Sequence, residues 1–198
     1  MNYLWYNKIG DDMKISVGVS NRHIHLTKED YNILFGDIPF VKKNDLNQPG
    51  MFASILTVTI KGPKRSIENV RVLGPLRNYT QVEVSKTDSY SLGIDPPVRN
   101  SGDLDGAASI TIIGPNGTIS KNAAIIAARH IHVDKKIRME HNLEGIDKVS
   151  VKIGGEKSGT IDNVYLKDSD EAYFELHLDT DDANCFLLKQ NDEVEIII

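Results

Sequence analysis

Short runs rich in Val, Ile and Thr recur along the chain, and each is closed by Gly, Pro, Asn or Asp. They predict strands over 15–20, 53–61, 69–73, 81–85, 109–113, 148–153, 159–166, 172–178 and 193–198, because β-branched residues suit a pleated, half-buried surface. Gly62-Pro63, Gly74-Pro75, Pro96-Pro97 and Gly114-Pro115-Asn116-Gly117 punctuate the runs. Helical signals are few. Thr27 caps a predicted helix over 28–35 with Gly36 as its stop, Asp134 one over 135–143 before Gly145, and Thr180 one over 181–188. Many short strands with turns between them predict barrels or sandwiches rather than a doubly wound sheet.

Composition changes this picture little. A chain of 198 residues with 40% hydrophobic and 26% charged residues is ordinary globular protein, long enough for one large domain or two small ones. Its longest apolar runs, such as 123–128, fall far short of the roughly 18 residues of a membrane span, so a soluble protein is expected. No signal-peptide pattern opens the chain, and a single cysteine, Cys185, allows no intrachain disulfide, which fits a reducing cytoplasm. Cys185 falls on what reads as the packing side of its helix, as a buried free thiol. Residues 1–12 read as an extension before the first strand.

Charge is polarised. The net charge is -5, yet residues 42–77 carry seven basic side chains against two acidic ones, whereas 156–195 carry three basic against twelve acidic. The basic segment suits an anion. Nucleic acid is not expected, since that segment has few aromatics and the whole chain is acidic.

The chemistry lies in a repeat. Arg-His-Ile-His occurs at 22–25 and again at 129–132, taking in four of six histidines, and each copy precedes a short capped helix and a glycine. In an extended strand, residues i and i+2 share a face, so each copy offers two imidazoles to one ion. Zinc is the default ion for imidazoles without thiolates, and a catalytic zinc takes three protein ligands. Each pair therefore needs a third donor. Glu83 and His177 are the candidates, and His141, inside a predicted helix, is the weaker one. Arg77 stands on the loop before the Glu83 strand, where a guanidinium can reach an oxyanion or phosphate beside a metal.

With Gly74-Pro75-x-Arg77, Thr80 to Ser85, Pro97-Val98-Arg99-x-Ser101-Gly102-Asp103 and Glu175 to Thr180 added in order, the chain over 14–198 resembles the propanediol-utilisation type of phosphate acyltransferase, the phosphate propanoyltransferases. The resemblance implies a mainly β fold of two small barrels with short capping helices and an active site shared between them. It divides the chain into residues 13–40 plus 122–198 and residues 41–121. It implies reversible conversion of a short-chain acyl-CoA, propanoyl-CoA or acetyl-CoA, and inorganic phosphate to acyl phosphate and CoA. Two zinc ions are implied, one on His23, His25 and Glu83 and one on His130, His132 and His177. Arg77 then contacts phosphate, and Ser20, Asn21, Arg22, Lys64, Arg71 and Asn184 contact CoA. Homo-oligomers and bacterial microcompartments belong to the same family picture, although residues 1–12 are short for a targeting helix. The alternatives are a zinc thioester hydrolase and a non-catalytic protein stapled by closed metal sites.

Overall fold

The computed structural model describes residues 13–169 and 173–198, so the extension at 1–12 and the start of the strand expected at 172–178 lie outside the described residues. The chain runs from β1 (Met13–Ser20) through the short β2 (His23–His25) into α1 (Lys28–Phe35). There the Thr27 hydroxyl accepts from the Asp30 amide, and Gly36 ends the helix at φ 58°. Next come β3 (Lys42–Asp45), β4 (Phe52–Lys61), β5 (Ser66–Gly74), β6 (Gln81–Glu83) and α2 (Lys86–Leu92). They are followed by β7 (Val98–Arg99), β8 (Ala108–Ile113) and β9 (Thr118–Ala127). The remainder is β10 (His130–Val133), α3 (Lys135–Glu140), β11 (Lys148–Ile153), β12 (Gly159–Asp168), β13 (Glu175–Asp179), α4 (Thr180–Cys185) and β14 (Glu193–Ile197). No helix among the described residues is long and apolar enough to cross a membrane.

The fold is mainly β and holds two closed six-stranded barrels, one in each compact unit. The first closes in the order β1-β13-β10-β12-β11-β14. Its strands alternate as one-faced strands must, with Val149, Val151 and Ile153 of β11 and Val194 and Ile196 of β14 buried. The second closes as β4-β5-β2-β6-β9-β8 and back to β4, with β3 and β7 added at the edges of β4 and β9. Its core joins Ile24, Val58, Ile60, Val72, Val82 and Ile112 to Leu34 and Phe35 of α1. The turn at Gly114 packs so closely on the end of α1 that a Cβ there would lie 2.4 Å from the Leu34 carbonyl oxygen. Only glycine fits.

Four expectations about organisation change. Residues 19–40 and 122–128 belong with the middle of the chain, not with the C-terminal half: the units are 13–18, 129–177 and 184–198 against 19–128 and 178–183. Pairing explains the shift, since β2 lies between β5 and β6, and β9 between β6 and β8. Locally, α2 replaces the end of the strand expected at 81–85. The Ser85 hydroxyl accepts from the Asp88 amide while the Asp88 carboxylate accepts from the Ser85 amide. Asp179 rather than Thr180 caps α4, accepting from the Asp182 amide at 2.9 Å. That helix ends at Cys185, which is exposed rather than buried, because Ala183 is the residue α4 turns inward.

A buried carboxylate ties the second barrel to α1. Asp30 accepts from Lys121 Nζ at 2.6 Å and from the Thr80 hydroxyl. Burial alone would raise its pKa, but Lys121 and Thr80 outweigh burial and hold it below the ordinary carboxylate value. A carboxylate with a depressed folded pKa stabilises above its unfolded value, about 4, and that stabilisation fades as pH falls through the folded value. Asp30→Asn is therefore expected to cost about 1–3 kcal/mol at neutral pH, less than a fully buried pair because Lys121 is partly exposed. Urea midpoints should converge with wild type below about pH 4. A gap that persisted in acid would place its cause elsewhere than in the Asp30 charge.

Candidate metal centres

Two groups of ligand-bearing side chains come together among the described residues, His23 with His25 and Glu83, and His130 with His132 and His177. In each, the ligand atoms lie within 4.8 Å of one another. The first is set by strand register. β2 is held between β5 and β6 so that His23 stands opposite Glu83 on one side and Arg71 on the other. His23 and His25, two residues apart, put their rings 5.1 Å apart, edge to face. Both are buried.

The donor chemistry fits a metal. His23 Nδ1 is 2.9 Å from the Asn21 carbonyl oxygen, an acceptor, so that nitrogen carries the proton and Nε2 keeps its lone pair. His23 Nε2 and Glu83 Oε2 are 3.5 Å apart. A tetrahedral zinc with bonds of about 2.0–2.2 Å keeps its ligands roughly 3.3–3.6 Å apart. Burial works against a charge on His23, but Glu83 and the Asn21 carbonyl outweigh it and hold the pKa above its usual value. The charge of Arg77 opposes that rise. A cation at Glu83 would take over the role of that proton.

Arg77 belongs to this centre. Its backbone amide donates to the Leu26 carbonyl at 2.8 Å, and Nη1 donates to the Tyr79 hydroxyl at 2.7 Å and to Ser101 Oγ at 3.1 Å. Gln81 is wholly buried and joins the same network. Its amide nitrogen donates to Glu83 Oε1 at 2.6 Å and to Ser101 Oγ at 2.9 Å, and its oxygen accepts from the Gly102 amide at 2.7 Å. Gln81 and Ser101 thus link the carboxylate ligand to the guanidinium. They stand within the quoted motifs but were not among the candidate residues. The available signal was that Gln81 stands two residues before Glu83 and so shares its strand face.

The second group forms on the other barrel. β10 lies between β12 and β13, with His130 opposite His177 and His132 opposite Glu175. The three rings pack with centroids 4.8–5.0 Å apart. Burial, then the neighbouring His130 and His177 and the charge of Lys167, push the His132 pKa down to about 3. A neutral imidazole with its lone pair available is what a metal needs. His141 is not part of the group; it caps the end of α3 and stacks on Phe174 at 6.3 Å. His141→Ala is accordingly expected to leave metal content within twofold of wild type, as read by elemental analysis.

The remaining candidates are distributed unevenly. Ser20 Oγ lies 3.4 Å from His23 Nδ1. Asn21 accepts from the Arg22 amide, and Arg22 grips Asp88 through two contacts of 2.8 Å. Arg71 Nη1 donates to the carbonyls of Ser54 and Ile55. Lys64 lies in the β4–β5 turn, its side chain against Gly93. Asn184 sits near the end of α4 and belongs to the other unit.

A family model described as phosphate propanoyltransferase matches residues 16–189. The phosphate propanoyltransferase of Rhodopseudomonas palustris is 46% identical over 188 residues, covering 94% of this chain and 83% of that protein. Its counterpart in Thermotoga maritima is also 46% identical, over 97% of this chain and 93% of its own length. The phosphate propanoyltransferase of Salmonella typhimurium is 43% identical over 89% and 87%.

Proposed function

The chain belongs to the phosphate propanoyltransferase family and is an acyltransferase, and from that premise we propose that it converts propanoyl-CoA or acetyl-CoA and inorganic phosphate reversibly to acyl phosphate and CoA. The observation that carries the reading is the hydrogen-bonded path from Glu83 through Gln81 and Ser101 to Arg77, which joins a metal-competent ligand set to a fixed positive charge. In this reading His23, His25 and Glu83 would hold one zinc ion and His130, His132 and His177 a second, and a bound ion would supply Lewis acidity.

Arg77 binds phosphate and keeps it in reach of the thioester carbonyl. An oxygen of phosphate forms the new bond to the carbonyl carbon, and the guanidinium stabilises the negative charge that collects on the carbonyl oxygen. As that charge collapses the carbon–sulfur bond breaks, and its electron pair departs with the CoA thiolate. The chain supplies no covalent nucleophile in this sequence, and Cys185 has no part in it. Ser20, Asn21, Arg22, Lys64, Arg71 and Asn184 contact CoA. Its phosphates call for Lys and Arg, and the carboxylate of Asp88 and the carbonyls of Ser54 and Ile55 orient two of these guanidiniums in advance.

The test is release of CoA thiol from propanoyl-CoA and acetyl-CoA by the metal-loaded protein, with and without inorganic phosphate. Release that requires phosphate and yields acyl phosphate is expected. The two substrates differ by one methylene, so their kcat/KM values should differ by no more than about 10–200-fold. Equal release without phosphate would make the protein a thioester hydrolase instead.

A further inference from the structure

A buried carboxylate stands behind the second ligand group. Glu175 stands on β13 two residues before His177, opposite His132, and is buried. Its Oε2 is 3.0 Å from His177 Nε2 and accepts from the Tyr173 hydroxyl. That hydroxyl oxygen is itself 2.9 Å from His177 Nε2. Gly18 of β1 leaves the room for this arrangement, since a Cβ there would lie 2.6 Å from Glu175 Oε2 and 3.0 Å from His177 Cδ2. Any side chain at position 18 would press on the carboxylate.

With Glu175 ionised, the contacts at this cluster assign the protons. An ionised carboxylate only accepts, and the Tyr173 hydroxyl spends its single proton on Glu175. A phenol ordinarily titrates at about 10, so at neutral pH it keeps that proton. Both groups facing His177 Nε2 are therefore acceptors toward it, and Nε2 must be the protonated nitrogen. Nδ1 is then the nitrogen with a lone pair.

Resting on the reading of His130, His132 and His177 as a metal centre, we propose that Glu175, braced by Tyr173, is a positioning residue of that centre: it takes the Nε2 proton of His177 and presents Nδ1 to the ion. A carboxylate behind a ligating imidazole fixes its tautomer and ring orientation and makes it a stronger donor, and its loss commonly weakens metal binding about 10- to 100-fold. At the first centre a backbone carbonyl, that of Asn21, faces the corresponding nitrogen of His23.

The experiment titrates the metal-free full chain with zinc against a competing chelator, for wild type, Glu175→Gln and Tyr173→Phe, and records the cobalt absorption spectrum of each. Wild type should take two equivalents. Glu175→Gln should keep one at wild-type affinity and weaken the other about 10- to 100-fold, with an unchanged cobalt ligand set. Tyr173→Phe should weaken the same equivalent by a smaller factor, and it carries the test if Glu175→Gln does not fold. Two equivalents bound as in wild type by either folded variant would overturn the role of Glu175 alone. A cobalt spectrum showing loss of an oxygen ligand in Glu175→Gln would overturn it too, making Glu175 a direct ligand. A wild-type chain that bound no second equivalent would remove the metal reading itself, and this role with it.

Discussion

Arg77→Ala is expected to lower kcat for phosphate-dependent CoA release by about 10²- to 10³-fold while the protein retains wild-type metal content, the usual cost of deleting one preorganised donor to a developing oxyanion. The retained metal matters to the argument. Arg77 meets the first ligand group through Ser101, but Gln81 bonds Glu83 directly and keeps its own contact with the Gly102 amide. Glu83 should therefore stay in place when the guanidinium is gone. Arg77→Lys separates charge from shape, since an ammonium keeps the charge but not the planar guanidinium, whose Nη1 donates to both Tyr79 and Ser101 and leaves its other nitrogens for phosphate. An intermediate rate is expected for it. Turnover near wild type in Arg77→Ala, with metal bound, would remove the arginine from the reaction.

Periodicity and caps made much of the local structure legible. Helix α1 follows the Thr27 and Gly36 signals residue for residue, and the strands β4, β5, β8, β11, β12 and β14 lie where the β-branched runs are. β9 was missed because it joins a polar stretch, Ser120-Lys121-Asn122, to the wholly buried Ala123 to Ile126, and neither half alternates. Buried on both faces, its apolar half lost the period of two by which a strand is recognised. Helix α2 carried a readable capping box, Ser85 with Asp88, but the strand-like residues before it drew the boundary too late.

At the site, local spacing could pair His23 with His25 and His130 with His132, because i and i+2 share a strand face whatever the fold. It could not bring Glu83 opposite His23, or His177 opposite His130, for those are matters of register between strands far apart in sequence. The grouping of each third ligand came from the resemblance. The same limit hid Ser101, which is 24 residues from Arg77 yet bonded to it.

His23→Ala carries the largest expected loss, at least about 10³-fold in kcat/KM, or some 4 kcal/mol of transition-state stabilisation, together with one of two metal equivalents. The ring supplies one of three ligands to its centre, and its removal leaves Glu83 without the neutral donor 3.5 Å away. His130, His132 and His177 stand on the other barrel, so the second equivalent should be retained at wild-type affinity. That asymmetry separates a local lesion from unfolding, which would release both ions. Added imidazole should restore part of the metal and part of the turnover together, since the vacated space is lined by Glu83 and His25. Full activity in a His23→Ala protein holding a single ion would show that the first centre is dispensable, and would move the chemistry to His130, His132 and His177.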